Sequence, residues 1–338
     1  MLRCGGYTSA MNRLFRDAAG PNLAPGGSVV CVGAFDGVHL GHRALLARVR
    51  ERAAELDLAP LALSFEPIPR EFFARSAPVP RLASVREKIE SLAAHSTRVL
   101  LLRFDAALAA MPAEAFIEDV LVGRASVREV WVGADFRFGH ARRGDVAMLR
   151  AEGERFGFSV SVLPDVEVGG ERVSSSAIRA HLAAGEFDAA ARLLGRRFAI
   201  GGHVVRGQQL GRTLGYPTAN IRLGRRTSPV AGIFAVRVHG VGALPWPGVA
   251  SLGVRPTIDG GGEPLLEAHL FDFDGDLYGR RIEVEFVQKL RDEEKFDGLD
   301  AMVRQIDRDA DEARAILGVD PRRRSRESAK RFSTVDGG

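Results

Sequence analysis

Two histidines three residues apart, His39 and His42, stand in the run GAFDGVHLGH that starts at Gly33. That spacing puts both on one face of a helix, about a turn apart. The residues before them, Ser28 to Val32, read as a buried strand, and Gly33, Gly37 and Gly41 let a ligand come close to the backbone. A helix start offers unpaired N–H groups and the positive end of the helix dipole. The pattern therefore predicts a nucleotide phosphate site, with imidazole donors able to carry extra positive charge. Phe35 and Asp36 lie inside the same turn.

Three more segments belong to this chemistry. Glu66 ends the strand-like run LALSFE, and Pro67 stops that strand. It reads as a carboxylate pointing into the crevice or as a solvated strand terminus. Asp135 in VGADFRFG lies in a similar place, with Phe136 and Phe138 beside it as core residues or as a surface for a flat ring. In RVSSSAIR, Ser174, Ser175 and Ser176 precede a helix that carries Arg179. One hydroxyl is expected to cap that helix; the group together also suits a triphosphate or a leaving pyrophosphate. These residues describe nucleotidyl transfer. A phosphate nucleophile is already ionised near neutral pH, so positioning and charge stabilisation suffice and no strong base is needed.

A second dense signal is GQQLGRTLGYPTANI, from Gly207 to Ile221. Gly207, Gly211 and Gly215 make a loop able to wrap a polyphosphate, and Arg212 supplies charge. Thr218 and Asn220 are two apart in an extended segment and so share a face. A hydroxyl and an amide oxygen are hard ligands that suit Mg²⁺ held jointly with ATP phosphates. Further on, Leu266, Ala268 and Leu270 alternate with Glu267 and His269. Glu267 is either a solvated strand carboxylate or a base for a substrate hydroxyl.

The elements that carry these residues fall into two groups. From Ser28 to Gly195, strand-like and helix-like stretches alternate, which predicts a doubly wound parallel sheet with its ligand site beyond the strand ends. After Gly195 come six alternating strands with glycine-rich turns, then an amphipathic helix from Leu299. That is the pattern of a small antiparallel β-barrel. The expected division is a flexible N-terminus over 1–26, an α/β domain over 27–195, a barrel domain over 196–319 and a disordered basic tail over 320–338.

The chain of 338 residues is 46% hydrophobic and carries a net charge of +4. Six basic and two acidic residues between Pro321 and Gly338 account for all of that charge. The neutral remainder argues against a nucleic-acid-binding regulator, the rival from another functional class. No apolar run is long enough to span a membrane, and no signal-peptide core is visible. The two cysteines, Cys4 and Cys31, have no metal-ligand or disulfide spacing, consistent with a reducing cytoplasm.

In order, GAFDGVHLGH, SFEPIP, RLASVREKIE, VGADFRFG and RVSSSAIR resemble the motifs of prokaryotic bifunctional riboflavin kinase/FMN adenylyltransferases. RTLGYPTAN, GVRPT, EAHLFDFDGDLYG and KLRDEEKF resemble those of the family's six-stranded kinase barrel. The resemblance implies conversion of riboflavin to FMN in the C-terminal domain and of FMN to FAD in the N-terminal domain, both from ATP. By the same resemblance His39 and His42 contact ATP phosphates, and Ser176 and Arg179 hold the triphosphate end. Glu66 and Asp135 help to place substrate or metal, Thr218 and Asn220 bind Mg²⁺, Glu267 is the base, and Arg291 belongs to a flap over the flavin. Ile68 stands where the family often has histidine, which leaves no polar role for that side chain.

Overall fold

The structure is a computed structural model that describes residues 14–74, 78–95, 98–207, 211, 214–224, 227–254 and 264–320. Arg212, most of the GVRPT segment and the basic tail lie outside the described residues. The chain forms two compact units. One runs from Leu14 to Ala177 and takes in Leu193–Gly195; the other comprises Ile178–Arg192 and the described residues from Arg196 onward.

The first unit is built on a six-stranded sheet in the order β1-β4-β3-β2-β5-β6, parallel throughout. Its strands are β1 (Leu14–Arg16), β2 (Ser28–Val32), β3 (Ala59–Glu66), β4 (Arg98–Arg103), β5 (Val127–Gly133) and β6 (Ser159–Leu163). Helices α1 (Leu40–Glu55), α2 (Pro69–Phe73), α3 (Val85–Ala94) and α4 (Val146–Phe156) cover it, with a π-helical stretch over Phe116–Arg124.

The central strand β2 is buried along its whole length. Because side chains alternate, Val30 and Val32 join Leu61, Leu63, Leu100 and Phe116 on one face of the sheet. Val29 and Cys31 join Leu46, Val49, Leu92 and Leu101 on the other. Strands buried on both faces explain the near-continuous apolar runs of the sequence. Strand order reverses at β2, so the crevice beyond β2 and β5 is the topological switch point where such sheets bind ligands.

One expectation changes here. The segment expected as a flexible N-terminus over 1–26 contains a strand. Leu14–Arg16 adds an edge strand, pairing Leu14 with Val99, and Leu23 and Ala24 are buried. The glycines and prolines between Arg16 and Ser28 lie in the connection between β1 and β2.

The second unit is a closed antiparallel barrel in the order β10-β13-β12-β11-β14-β9. The strands are β9 (Ala199–Val205), β10 (Ala219–Arg222), β11 (Gly232–His239), β12 (Trp246–Val254), β13 (Pro264–Leu270) and β14 (Arg281–Arg291). Its interior follows the alternation: Phe234, Val236 and Val238 are fully buried, as are Val284 and Phe286.

Helix α5 (Ser175–Ala183) begins at the end of the first unit, whereas α6 (Phe187–Leu194) lies mostly in the second. A division at 195/196 would assign both helices to the α/β domain. Phe187 instead packs on Phe234 and Phe286, at ring separations of 5.9 and 6.1 Å, and so joins the barrel core.

The C-terminal helix α7 (Leu299–Leu317) buries Ala310 and Ala313. Arg314 fixes it through a two-pronged pair with Asp272, at 2.9 and 3.0 Å, and stacks on Phe271 at 4.3 Å. No helix among the described residues is long and apolar enough to cross a membrane.

Candidate active sites

The cleft at the switch point holds about 350 Å³ and is lined by the ends of β2, β5 and β6. It brings together Gly33, Gly41, His39, His42, Asp135 and Ser175.

His39 is the N-cap of α1 rather than its first helical residue, and its Nδ1 accepts the backbone N–H of His42 at 3.3 Å. That bond places the proton of a neutral His39 ring on Nε2. The two rings stack, with centroids 3.7 Å apart and planes 15° from parallel. Burial, reinforced by the charges of His39 and Lys88, holds the His42 imidazole well below its usual range. His42 is therefore neutral near pH 7 and acts as a polar donor or acceptor, not as the extra cation expected from sequence. Its Nδ1 is buried and unpaired.

Phe35, Asp36 and Gly37 do not line the cleft; they build the turn that shapes it. Phe35 is fully buried and packs on His42 at 5.0 Å. The Asp36 carboxylate accepts the N–H groups of Leu82 and Ala83 at 3.1 to 3.2 Å. Gly37 has φ +83°, and a Cβ there would meet Leu82 Cβ at 2.9 Å. Val38, a β-branched residue, is held at φ 42°. Backbone strain of this kind persists where the surroundings over-determine it.

Glu66 is not among the residues that line the cleft. It pairs with Arg81 at 2.5 Å and with Lys88 at 3.0 Å, both cations being almost wholly buried. Lys88 also donates to Phe65 O at 2.7 Å. With two buried cations to compensate, the carboxylate is fixed as part of the fold.

Asp135 does reach the cleft, where Arg172 binds it at 2.8 Å and Asp165 at 2.9 Å. Arg172 and Asp165 were not legible as site residues, because a two-stranded hairpin, β7 (Glu167–Val168) with β8 (Glu171–Arg172), delivers the arginine. Ser174 is the hydroxyl that caps α5, accepting from Ala177 N at 3.1 Å. Ser175 donates to Asp36 O at 3.1 Å, and Ser176 is exposed outside the cleft lining. Arg179 belongs to the segment grouped with the second unit and is also absent from the lining.

Beside the cleft lies an apolar slot formed by Phe65, Phe104, Phe116, Phe136 and Phe138, with Arg137 and Arg142 at its edge. Phe136 lines both slot and cleft. Phe138 is at once a core residue and part of this aromatic wall, stacked on Phe136 at 5.4 Å.

In the barrel, a cleft of about 630 Å³ is lined by Pro217, Thr218 and Asn220 on one side and Phe273 to Tyr278 on the other. Asp274 and Asp276 lie in this lining, although the sequence pattern gave neither a role. Asn220 Nδ2 lies 3.3 Å from Thr218 O and 3.5 Å from its hydroxyl, whereas Asn220 Oδ1 is buried without a partner. Asn220 pairs with Glu267 across the β10–β13 ladder, so both side chains lie on one face. Gly211 is required where it stands, since a Cβ would meet Tyr216 O at 2.3 Å.

Arg291 ties β14 to the C-terminal helix. Its guanidinium grips Asp309 of α7 at 2.7 and 2.9 Å, and this bond raises its pKa. It also lies over Phe296, at 5.7 Å.

The FAD synthetase family profile matches residues 22–177, and the riboflavin kinase profile matches residues 194–317. A bifunctional riboflavin kinase/FMN adenylyltransferase from Pseudomonas fluorescens is 47% identical over 87% of this chain and 95% of its own length. Its counterpart from Escherichia coli (strain K12) is 45% identical over 87% and 94%. That from Haemophilus influenzae is 42% identical over 90% and 99%. A solved structure described as a macrolide-efflux protein from Streptococcus pneumoniae shares the fold, with TM-score 0.72 and 28% identity over 88% of this chain and 97% of that one.

Proposed function

This chain belongs to the bifunctional riboflavin kinase/FMN adenylyltransferase family, and from that premise we propose how its residues divide the work. The enzyme phosphorylates riboflavin to FMN and adenylylates FMN to FAD, with ATP as co-substrate in both reactions. Both consume ATP, and on that chemistry we place the enzyme in the cytoplasm.

In adenylylation, a phosphate oxygen of FMN attacks the α-phosphorus of ATP, and the bond to pyrophosphate breaks. His39 and a neutral His42 orient the phosphates by hydrogen bonding, with the amides at the start of α1 facing the developing charge. Ser175 and Arg172 help to bound the polyphosphate end of the cleft, and Ser176 and Arg179 are held as its outer contacts. The aromatic slot takes the flavin ring, and its junction with the cleft at Phe136 directs the FMN phosphate toward ATP.

In phosphorylation, the ribityl hydroxyl of riboflavin attacks the γ-phosphorus of ATP, and ADP leaves. Glu267 takes the hydroxyl proton. The observation that carries this assignment is the unpartnered Oδ1 of Asn220, whose Nδ2 lies 3.5 Å from the Thr218 hydroxyl, on the face that also presents Glu267. These are hard oxygen donors too few to hold a cation alone, which fits Mg²⁺ shared with ATP phosphates. Bound there, Mg²⁺ would neutralise phosphate charge. Thr218 and Asn220 hold and orient that nucleotide end, with Gly211 and Arg212 assigned to the covering loop.

The test is to incubate the enzyme with riboflavin, ATP and Mg²⁺ and follow FMN and FAD separately. H39A should stop FAD formation and spare FMN formation. N220A and E267A should do the reverse when FMN is supplied. Loss of both activities in any one folded variant would overturn the division.

A further inference from the structure

The PTAN segment enters its cleft from a loop, yet Thr218 and Asn220 must be held accurately to share a cation with a nucleotide. The residues just before them are tied down from two directions. His269 Nδ1 lies 2.9 Å from Pro217 O, the carbonyl that precedes Thr218. A carbonyl only accepts, so Nδ1 carries the proton in this bond. The Tyr216 ring packs edge-on against His269 at 5.1 Å, and His269 packs in turn on Phe271 at 5.9 Å. The Tyr216 hydroxyl is hydrogen-bonded to Asp307 on α7.

We propose that His269 is a positioning residue for riboflavin phosphorylation: with Tyr216 anchored on Asp307, it fixes the Tyr216–Pro217 backbone that presents Thr218 and Asn220 to the metal–nucleotide pair. The inference rests on the assignment of Thr218 and Asn220 to that pair. His269 needs no contact with substrate. It stands on the same strand and face as Glu267, two residues along, so one strand carries the proposed base and the brace for the Pro217–Asn220 side of the cleft. Because the bond uses Nδ1, the side chain that can replace it is asparagine, whose amide nitrogen falls near the Nδ1 position. Glutamine places its amide near Nε2.

The experiment compares H269L, H269Q, H269N, Y216F and T218A by steady-state riboflavin phosphorylation, with FMN adenylylation measured on each preparation. In H269L and H269Q the KM for MgATP should rise about five- to tenfold, the effect of roughly one lost hydrogen bond. The KM for riboflavin and the adenylylation rate should stay at wild-type values. H269N should restore the KM for MgATP to within about twofold. Y216F, which keeps the ring and loses only the hydroxyl, should shift the same constant in the same direction. The brace is overturned if T218A abolishes phosphorylation while H269L leaves the KM for MgATP unchanged. It is also overturned if H269N is no better than H269L, or if both substrates are affected equally. If T218A itself phosphorylates normally, the metal assignment falls and the brace falls with it.

Discussion

Asn220 and Glu267 stand directly opposite each other in the β10–β13 ladder, on the outward face of a barrel whose inward face is closed by Ala219, Ile221, Leu266 and Ala268. One strand thus contributes a buried, unpartnered amide oxygen, and its neighbour contributes a carboxylate. With Glu267 as the base, E267Q should lower kcat for riboflavin phosphorylation by about 10²- to 10⁴-fold with little change in either KM. N220A should suppress FMN formation by raising the KM for MgATP beyond the concentrations used, with part of the rate returning at much higher MgATP. Initial-rate kinetics with both substrates varied separates the two.

His42 gives a pH dependence whose sign is fixed by its burial. Its folded-state pKa lies below the unfolded value, so below about pH 6.5 the unfolded chain binds the extra proton first. The contribution of a neutral His42 is therefore complete above that pH and is lost as pH falls toward the folded-state pKa. The loss is at most about 1.4 kcal/mol per pH unit. Urea unfolding of the wild type between pH 7 and pH 5.5 should show this slope superimposed on that of the carboxylates. H42N should show a shallower one.

Sequence periodicity located both sheets because each depends on local pattern. The apolar run of β2 and the alternation of Phe234, Val236 and Val238 follow from burial on two faces and on one. What stayed hidden depends on partners distant in the chain. Asp36 and Glu66 sit in motif-like segments, but Leu82, Ala83, Arg81 and Lys88 claim their carboxylates for the fold. Tyr216, His269 and Asp307 meet only because the barrel closes and α7 packs on it, and no spacing within a strand or helix announces that. β1 was obscured for another reason: three residues at a sheet edge leave too short a pattern to read.

Glu66 should behave as a structural residue. E66Q leaves Lys88 and Arg81, 1% and 4% exposed, sharing one fewer negative charge. The expected cost is about 3–5 kcal/mol in the stability of the first unit, measured by denaturant unfolding. At temperatures where E66Q remains folded, its KM for ATP in adenylylation should match wild type. A large rise in that KM without loss of stability would return Glu66 to the binding site.

Arg291 offers a parallel case in the barrel. Asp309 is 4% exposed and is held by Arg291 and by Gln305 Nε2 at 2.8 Å. R291A removes the charge that compensates Asp309 and frees β14 from α7. The barrel unit should lose about 3–5 kcal/mol, and riboflavin phosphorylation should become heat-labile while adenylylation keeps its wild-type thermal profile. R291M/D309L replaces the pair with apolar side chains of similar reach and should recover most of that stability, since a buried ion pair adds little over good packing. Thermal inactivation of the two activities in the same sample reads both effects. If R291M/D309L regains stability but not phosphorylation, Arg291 does more than anchor α7, and its guanidinium takes part in the flavin site.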